Sequence, residues 1–263
     1  MTAGIGADDK LKVTFLGTGT SHGVPVIACG CEVCASGDEK DKRSRSAIML
    51  EVDGQTIVID TGPDFRMQML REKVKRLDAV LFTHEHKDHT AGLDDIRAFN
   101  MFQDGAIDIY ATNRVEDNLH KCFEYIFADQ RYPGIPEVKT HAIENKPFQV
   151  GPTKIIPIEV LHYKLPVLGF RIRDFVYITD ANAIPEIERE KIKGAKILVL
   201  NALRISKHIS HFSLDEALEM AKTLNIETTY FTHISHQLGK HEDVSKILPE
   251  GIFLSYDGLK IEI

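Results

Sequence analysis

The stretch Phe82-Thr83-His84-Glu85-His86-Lys87-Asp88-His89 packs three imidazoles and two carboxylates into the six positions from His84 to His89, and His84, His86, Asp88 and His89 are the candidate donors. Imidazole and carboxylate without thiolate suit borderline divalent ions, and Zn²⁺, Mn²⁺, Fe²⁺ and Ni²⁺ all accept that set. The donors therefore point to a metal without choosing it. In an extended turn side chains alternate, so His84 and His86 point to one side, while Asp88 and His89, further round the loop, face a second ion. One loop cannot close two sites. His162 after IIPIEVL, Asp180 after FVYIT and His233 after TTYFT each stand where a strand would deliver a donor to one sheet edge. Singly, Asp180 could cap a helix starting near Ile184, and His162 could be an ordinary half-buried imidazole. Their repeated position argues against coincidence. Two ions about 3.5–4 Å apart can hold a bridging hydroxide and offset charge on a phosphoryl or carbonyl oxygen under attack. Hydrolysis is the chemistry such a set supports best.

A second constellation is ACGCEVC, which places Cys29, Cys31 and Cys34 of the four cysteines within six positions. The spacing C-x-C-x-x-C suits three thiolates around one tetrahedral Zn²⁺, with Gly30 easing the turn. A redox reading of Cys31 and Cys34 lacks the helix N-terminus that activates such a thiol. The most economical fourth ligand is His236, three residues beyond His233. Zinc there would tie the N-terminal loop to the turn bearing His233. Cys122, alone in a helical pattern, is expected to pack in the core.

These donors need strands to carry them. Apolar runs of strand type recur at 11–17, 46–52, 56–60, 79–83, 107–111, 154–161, 175–180, 196–202 and 228–232. Helical spacing falls at roughly 64–75, 92–102, 114–127, 184–191, 213–224 and 240–247. Asp53-Gly54 predicts a hairpin, Asp257-Gly258 a second, C-terminal one, and Ser213 with Glu216 a capping box. The segment 130–153, rich in Pro, Gly and charge, reads as a connection between two halves of one domain spanning 1–263, with a flexible start over 1–10.

A chain of 263 residues, 43% of them apolar, can bury one large α/β core. The formal charge of −7 argues against nucleic acid as a partner and leaves a small phosphorylated substrate compatible. No stretch approaches the roughly 20 apolar residues that cross a bilayer, and the first ten residues lack a basic start before an apolar run. No membrane association is expected. The cytoplasm is the expected compartment, and its reducing conditions favour a metal over disulfides for the cysteines.

From LGTGTSHGVP through FTHEHKDH to FTHISH, nearly the whole chain resembles the metallo-β-lactamase superfamily. The resemblance implies an α/β fold of four layers, an αβ/βα sandwich of mixed sheets with outer helices. It further implies one ion on His84, His86 and His162, another on Asp88, His89 and His233, and Asp180 bridging them. The added C-x-C-x-x-C and H-x-x-H motifs make the chain similar to the phosphonate-pathway, PhnP-type cyclic phosphodiesterases. That similarity implies a structural zinc on Cys29, Cys31, Cys34 and His236 beside two catalytic divalent ions, Mn or Zn, with Fe or Ni also fitting.

The same similarity implies a catalytic histidine upstream of H-x-x-H. His211 matches it, and nearby His208 is its rival. The expected function is hydrolysis of a small cyclic sugar phosphate diester through a metal-bridging hydroxide. Asp88 and His211 are the expected catalytic residues, with His211 protonating the leaving oxygen. An RNA-processing nuclease and a non-catalytic accessory protein on the same fold are the alternatives, and a homodimer is allowed for. Arg66 is a candidate phosphate contact or ion-pair partner near Asp64, Asn182 a candidate support for Asp180 or simply a turn residue, and His22 a loop residue of no assigned role.

Overall fold

Successive residues of the central strands face different cores. Ile57 and Ile59 point into one apolar cluster and Val58 into another, and Leu198 and Leu200 are divided from Val199 in the same way. Strands apolar on both faces must be covered on both, which dictates layers. The structure, a computed structural model, describes residues 10–103, 105–128 and 132–263; the expected flexible start, apart from Lys10, lies outside the described residues.

In chain order the strands are β1 (Lys12–Gly17), β2 (Ala47–Val52), β3 (Gln55–Ile59), β4 (Ala79–Leu81), β5 (Ile107–Ala111), β6 (Val138–Ala142), β7 (Phe148–Val150), β8 (Thr153–His162), β9 (Leu165–Ile172), β10 (Phe175–Tyr177), β11 (Ile197–Asn201), β12 (Thr228–Thr232), β13 (Ile252–Leu254) and β14 (Lys260–Glu262). The helices are α1 (Phe65–Glu72), α2 (Lys87–Thr90), α3 (Arg97–Gln103), α4 (Asn113–Cys122), α5 (Glu124–Phe127), α6 (Glu186–Ile192), α7 (Leu214–Leu224) and α8 (His241–Ser245). One sheet runs β14-β1-β2-β3-β4-β5-β6 and the other β13-β12-β11-β10-β9-β8-β7. Phe15, Leu50, Phe170 and Tyr177 fill the space between the sheets. Phe65, Phe99 and Val115 seal the first sheet under α1, α3 and α4, and Ile192, Ala217 and Leu224 seal the second under α6 and α7. The result is the four-layered αβ/βα sandwich of mixed sheets. Among the described residues no helix is long and apolar enough to cross a membrane.

Asp53 and Gly54 have φ of 52° and 75° and close the β2–β3 hairpin as a type I′ turn would. Asp257-Gly258 does not close a hairpin. β13 pairs in parallel with β12 and β14 antiparallel with β1, so this turn carries the chain from one sheet to the other. Asp257 instead accepts hydrogen bonds from Thr18 Oγ1 at 2.8 Å and Ser44 Oγ at 2.6 Å, which ties the C-terminal segment to the loop after β1. The connection 130–153 contributes β6 to the edge of one sheet and β7 to the edge of the other, so it joins the halves by extending both. At α7, Ser213 and Glu216 form the reciprocal capping box. Cys122 departs from its expectation: it is exposed at the end of α4, against the Lys87 ammonium, because the buried stripe of that helix runs through Val115 and Leu119 instead.

Candidate metal centre

All three buried turns that carry the central carboxylates and the last histidine use left-handed backbone at a non-glycine residue. Asp60 after β3 has φ 68°, Asp180 after β10 has φ 54°, and His233 after β12 has φ 56°. Each such residue costs about 1–3 kcal/mol, a strain that the surrounding structure sustains at sites of this kind. Close approach of the backbone helps to hold the arrangement. A Cβ on Gly62 would stand 2.2 Å from the Asp88 carbonyl oxygen, so only glycine lets the loop after β3 pack under α2.

Strand ends from both sheets bring the predicted donors together. His84, His86, His162 and Asp180 form one group, and Asp88, His89, Asp180 and His233 a second, with their donor atoms mutually within 4.8 Å in each. Asp180 is common to both: its Oδ2 lies 3.5 Å from His84 Nε2 and 3.4 Å from His89 Nε2. Those two imidazole nitrogens are buried and have no hydrogen-bond partner. Such nitrogens beside a carboxylate fit divalent ions, and the donor chemistry agrees.

Other groups aim the donors. Thr83 Oγ1 meets His84 Nδ1 at 2.9 Å, and the Ser210 carbonyl accepts from His162 Nδ1 at 2.9 Å, leaving both Nε2 atoms to the site. Thr20 Oγ1 meets His233 Nε2 at 3.2 Å, while His233 Nδ1 lies 2.9 Å from Asp180 Oδ1. Asp60 is completely buried, accepts from the Thr83 N–H and hydroxyl, and meets His89 Nδ1 at 2.7 Å. Asn201 brackets Ala181, its amide donating to the Ala181 carbonyl and accepting from its N–H, and so fixes the turn of Asp180.

Electrostatics follow from this crowding. Burial, then the charge of His89, pushes His84 well below the ordinary imidazole range. Burial would also lower His89, but the carboxylates of Asp180, Asp88 and Asp60 hold it well above that range. Asp180 is held well below the carboxylate range by His233 and His89 although burial opposes it. His211 is 8% exposed, its ring 4.6 Å from that of His162 and 4.9 Å from that of His233, and burial pushes it down to about 3. His208 stands outside it, 5.1 Å from its ring, half-buried and bonded to Ser210. His211 therefore reaches the donor groups and His208 supports the outer wall.

Cys29, Cys31 and Cys34 form a separate cluster with His236. Their sulfurs lie 3.4, 3.3 and 3.5 Å from His236 Nδ1. A sulfur and a nitrogen sharing one tetrahedral zinc are about 3.6 Å apart, given bonds of about 2.3 and 2.0–2.1 Å. The four residues fit zinc on that measure. The Cys34 backbone N–H, then His236, lowers the Cys31 thiol to about 6, which favours the thiolate a metal requires.

Two expectations near the site change, those for Arg66 and Asn182. Arg45, rather than Arg66, pairs with Asp64 at 3.1 Å; Arg66 lies beside the Met67 sulfur and an apolar groove containing Phe99 and Phe102. Asn182 accepts from the Tyr163 N–H at 2.6 Å, so Asn201 holds the Asp180 turn. His22 is exposed, whereas Thr20 of the same loop is the residue that touches a donor. Sequence reasoning passed over Asp60, although it ends the apolar run TIVID just as Asp180 ends FVYITD.

A sandwich of this topology with two His/Asp donor groups at one edge presents a candidate site for divalent metal ions. The chain belongs to the beta-lactamase superfamily: the model of the beta-lactamase superfamily domain matches residues 55–234. Its structure is similar to the crystal structure of a new diphosphatase from the PhnP family, with a TM-score of 0.91, 40% identity and coverage of 97% of each chain. It is 38% identical to an octanoyltransferase of Porphyromonas gingivalis over 95% of its own length and 51% of that protein's. The chain thus spans about half of that relative. Zn²⁺-bound PqqB from Methylobacterium extorquens shares the fold, with a TM-score of 0.78, 20% identity and coverage of 96% and 100%.

Proposed function

We propose that the protein is a dinuclear metal-dependent phosphohydrolase that cleaves a small phosphodiester, with a cyclic sugar phosphate as the expected substrate. The observation that carries this reading is the position of Asp180, one buried carboxylate between two otherwise complete donor groups. His84, His86 and His162 would hold one ion, Asp88, His89 and His233 the other, and Asp180 both. Zn or Mn suits these donors, and Zn suits the separate cluster of Cys29, Cys31, Cys34 and His236. Divalent ions held so supply acidification of a water nucleophile and offset the charge that grows on phosphoryl oxygens.

The chain's own residues supply the rest. Asp60, Thr83, Ser210 and Thr20 fix the imidazole orientations that ligation needs. Asp88, kept ionised by His89 against the effect of burial, is available to orient the attacking water. His211, beside the rings of His162 and His233, would protonate the leaving oxygen, and an anionic phosphoryl group next to it would raise its proton affinity for that step. The 40%-identical relative described as a diphosphatase supports phosphorus as the reacting centre. The octanoyltransferase name belongs to a protein of twice the matched length, so acyl transfer enters as an arm of the test.

The test is a hydrolysis panel with metal-reconstituted protein: cyclic phosphates, linear diesters, diphosphates and thioesters. Cyclic phosphates should turn over best. Preference for a thioester, with no phosphate hydrolysed, would overturn the reading. His211→Ala should retain its metals and lose turnover on alkoxide leaving groups far more than on a nitrophenolate, which needs no protonation. An equal loss on both would remove the general-acid role.

A further inference from the structure

The β8–β9 hairpin ends on two residues that the metal framework does not use. His162 pairs with Leu165 in the antiparallel register, leaving Tyr163 and Lys164 as the two-residue turn directly after a metal donor. Tyr163 has φ 58°, a left-handed conformation that a bulky residue rarely adopts. Its N–H is held by Asn182 Oδ1 at 2.6 Å, and the residue remains 49% exposed. The Lys164 ammonium sits over that ring, 5.3 Å from its centroid. Beside them opens a cavity of about 510 Å³, walled by His86, His162, Tyr163, Lys164, Leu165 and Ser210. Two of those walls are candidate metal donors, whose rings are 5.1 Å apart. The hairpin is braced against the donor loop: Arg114 pairs with Glu85 at 3.1 Å and donates to the Pro166 carbonyl at 2.6 Å.

We propose that Tyr163 and Lys164 form a substrate subsite, in which the tyrosine ring stacks a planar heterocycle and the lysine meets the phosphoryl group next to the donors, so that the preferred substrates are nucleotides. The inference rests on the phosphohydrolase reading and specifies its substrate class. An exposed aromatic ring fixed at the rim of a metal site offers a π-face to any base, and base–aromatic stacking is strong enough to discriminate. Lys164 puts a positive charge at this mouth in a chain of net charge −7, and the other residues that wall the cavity carry no carboxylate to oppose a phosphate. A cyclic nucleotide and a nucleoside diphosphate present the same two features, a base and an anionic phosphoryl group.

The experiment compares adenosine cyclic monophosphate and ADP with their base-free counterparts, glycerol cyclic phosphate and inorganic pyrophosphate. Kinetics are measured on metal-replete wild type, Tyr163→Asn, Tyr163→Phe and Lys164→Ala. Asparagine tolerates the left-handed backbone, so Tyr163→Asn removes the ring without straining the turn beside His162. The ratio of kcat/KM for the nucleotide to that for its base-free counterpart should fall about tenfold in Tyr163→Asn, through KM, and recover in Tyr163→Phe. Lys164→Ala should raise KM for both members of a pair. The cyclic and diphosphate arms separate the two sources of the ligand. An unchanged ratio in Tyr163→Asn overturns the subsite. Should no phosphate be hydrolysed, the phosphohydrolase reading fails, and anisotropy of a fluorescent ADP analogue still decides the subsite. Binding weakened about tenfold by Tyr163→Asn supports it, and equal or undetectable binding in wild type and variant overturns it.

Discussion

Asp60→Asn tests whether the buried carboxylate behind His89 acts through the tautomer it imposes. Asp60 Oδ1 accepts from the Thr83 N–H at 2.9 Å, and Oδ2 accepts from the Thr83 hydroxyl at 2.8 Å and faces His89 Nδ1 at 2.7 Å. An asparagine fits the same space but has one acceptor oxygen. If that oxygen serves the Thr83 N–H, the amide NH₂ faces His89 Nδ1, and the proton must move to Nε2, the atom directed at the metal donors. If the amide flips, its NH₂ opposes the Thr83 N–H in a fully buried pocket. Either arrangement penalises ligation. Loss of such a supporting partner costs about 10–100-fold in metal affinity, or about 1.4–2.8 kcal/mol. Competition against a chromophoric chelator should show that loss at the His/Asp site, with zinc at the cysteines retained. Affinity within twofold of wild type at both sites would refute the tautomer argument.

Gly62→Ala should weaken metal binding without touching a donor, because its Cβ would stand 2.2 Å from the Asp88 carbonyl and displace α2; metal titration checks it, and unchanged affinity would mean that the loop absorbs the methyl group. His236→Ala should lose the cysteine-bound zinc and lower the thermal midpoint, while His84 to His89 keep their ions; zinc retained with full affinity would remove His236 from the cluster. Burial, then the Arg43 charge, pushes His241 down to about 4 from an ordinary 6.5. Between those values the unfolded chain binds a proton that the folded chain refuses, so stability falls as pH drops through about 6.5 and levels off below about 4, with a ceiling of about 3 kcal/mol. His241→Gln should flatten that dependence in denaturant melts at several pH values, and an unchanged slope would assign the acid sensitivity to other groups.

His162, Asp180 and His233 were legible because each ends an apolar run, and the string from His84 to His89 because it follows one, which places these residues beyond strand ends. What remained hidden were partners defined only in three dimensions. Asn201 lies 20 positions from the Ala181 it brackets, and Thr20 is 213 positions from His233. Asp60 carried the same strand-end signal as Asp180, and that signal does not distinguish a carboxylate among the donors from one standing behind an imidazole, as Asp60 does behind His89. β9 went unread because Pro166 and Gly169 interrupt its apolar pattern, although that strand creates the hairpin beside the site. The Asp257-Gly258 turn misled because turn chemistry is local, whereas the sheet that the following strand joins is decided by whether Ile261 can pair with Val13. Helical spacing places Cys122 on α4 but does not show that the stripe facing the sheet runs through Val115 and Leu119.

Each chain is expected to carry a two-ion His/Asp site bridged by Asp180 and a separate zinc on Cys29, Cys31, Cys34 and His236. Elemental analysis of purified, metal-replete protein measures it most directly. Three ions per chain are predicted for wild type, about one for Asp180→Ala with zinc remaining, and two for Cys31→Ser. A single ion in wild type, or the same content in all three proteins, would rule out two separate metal centres.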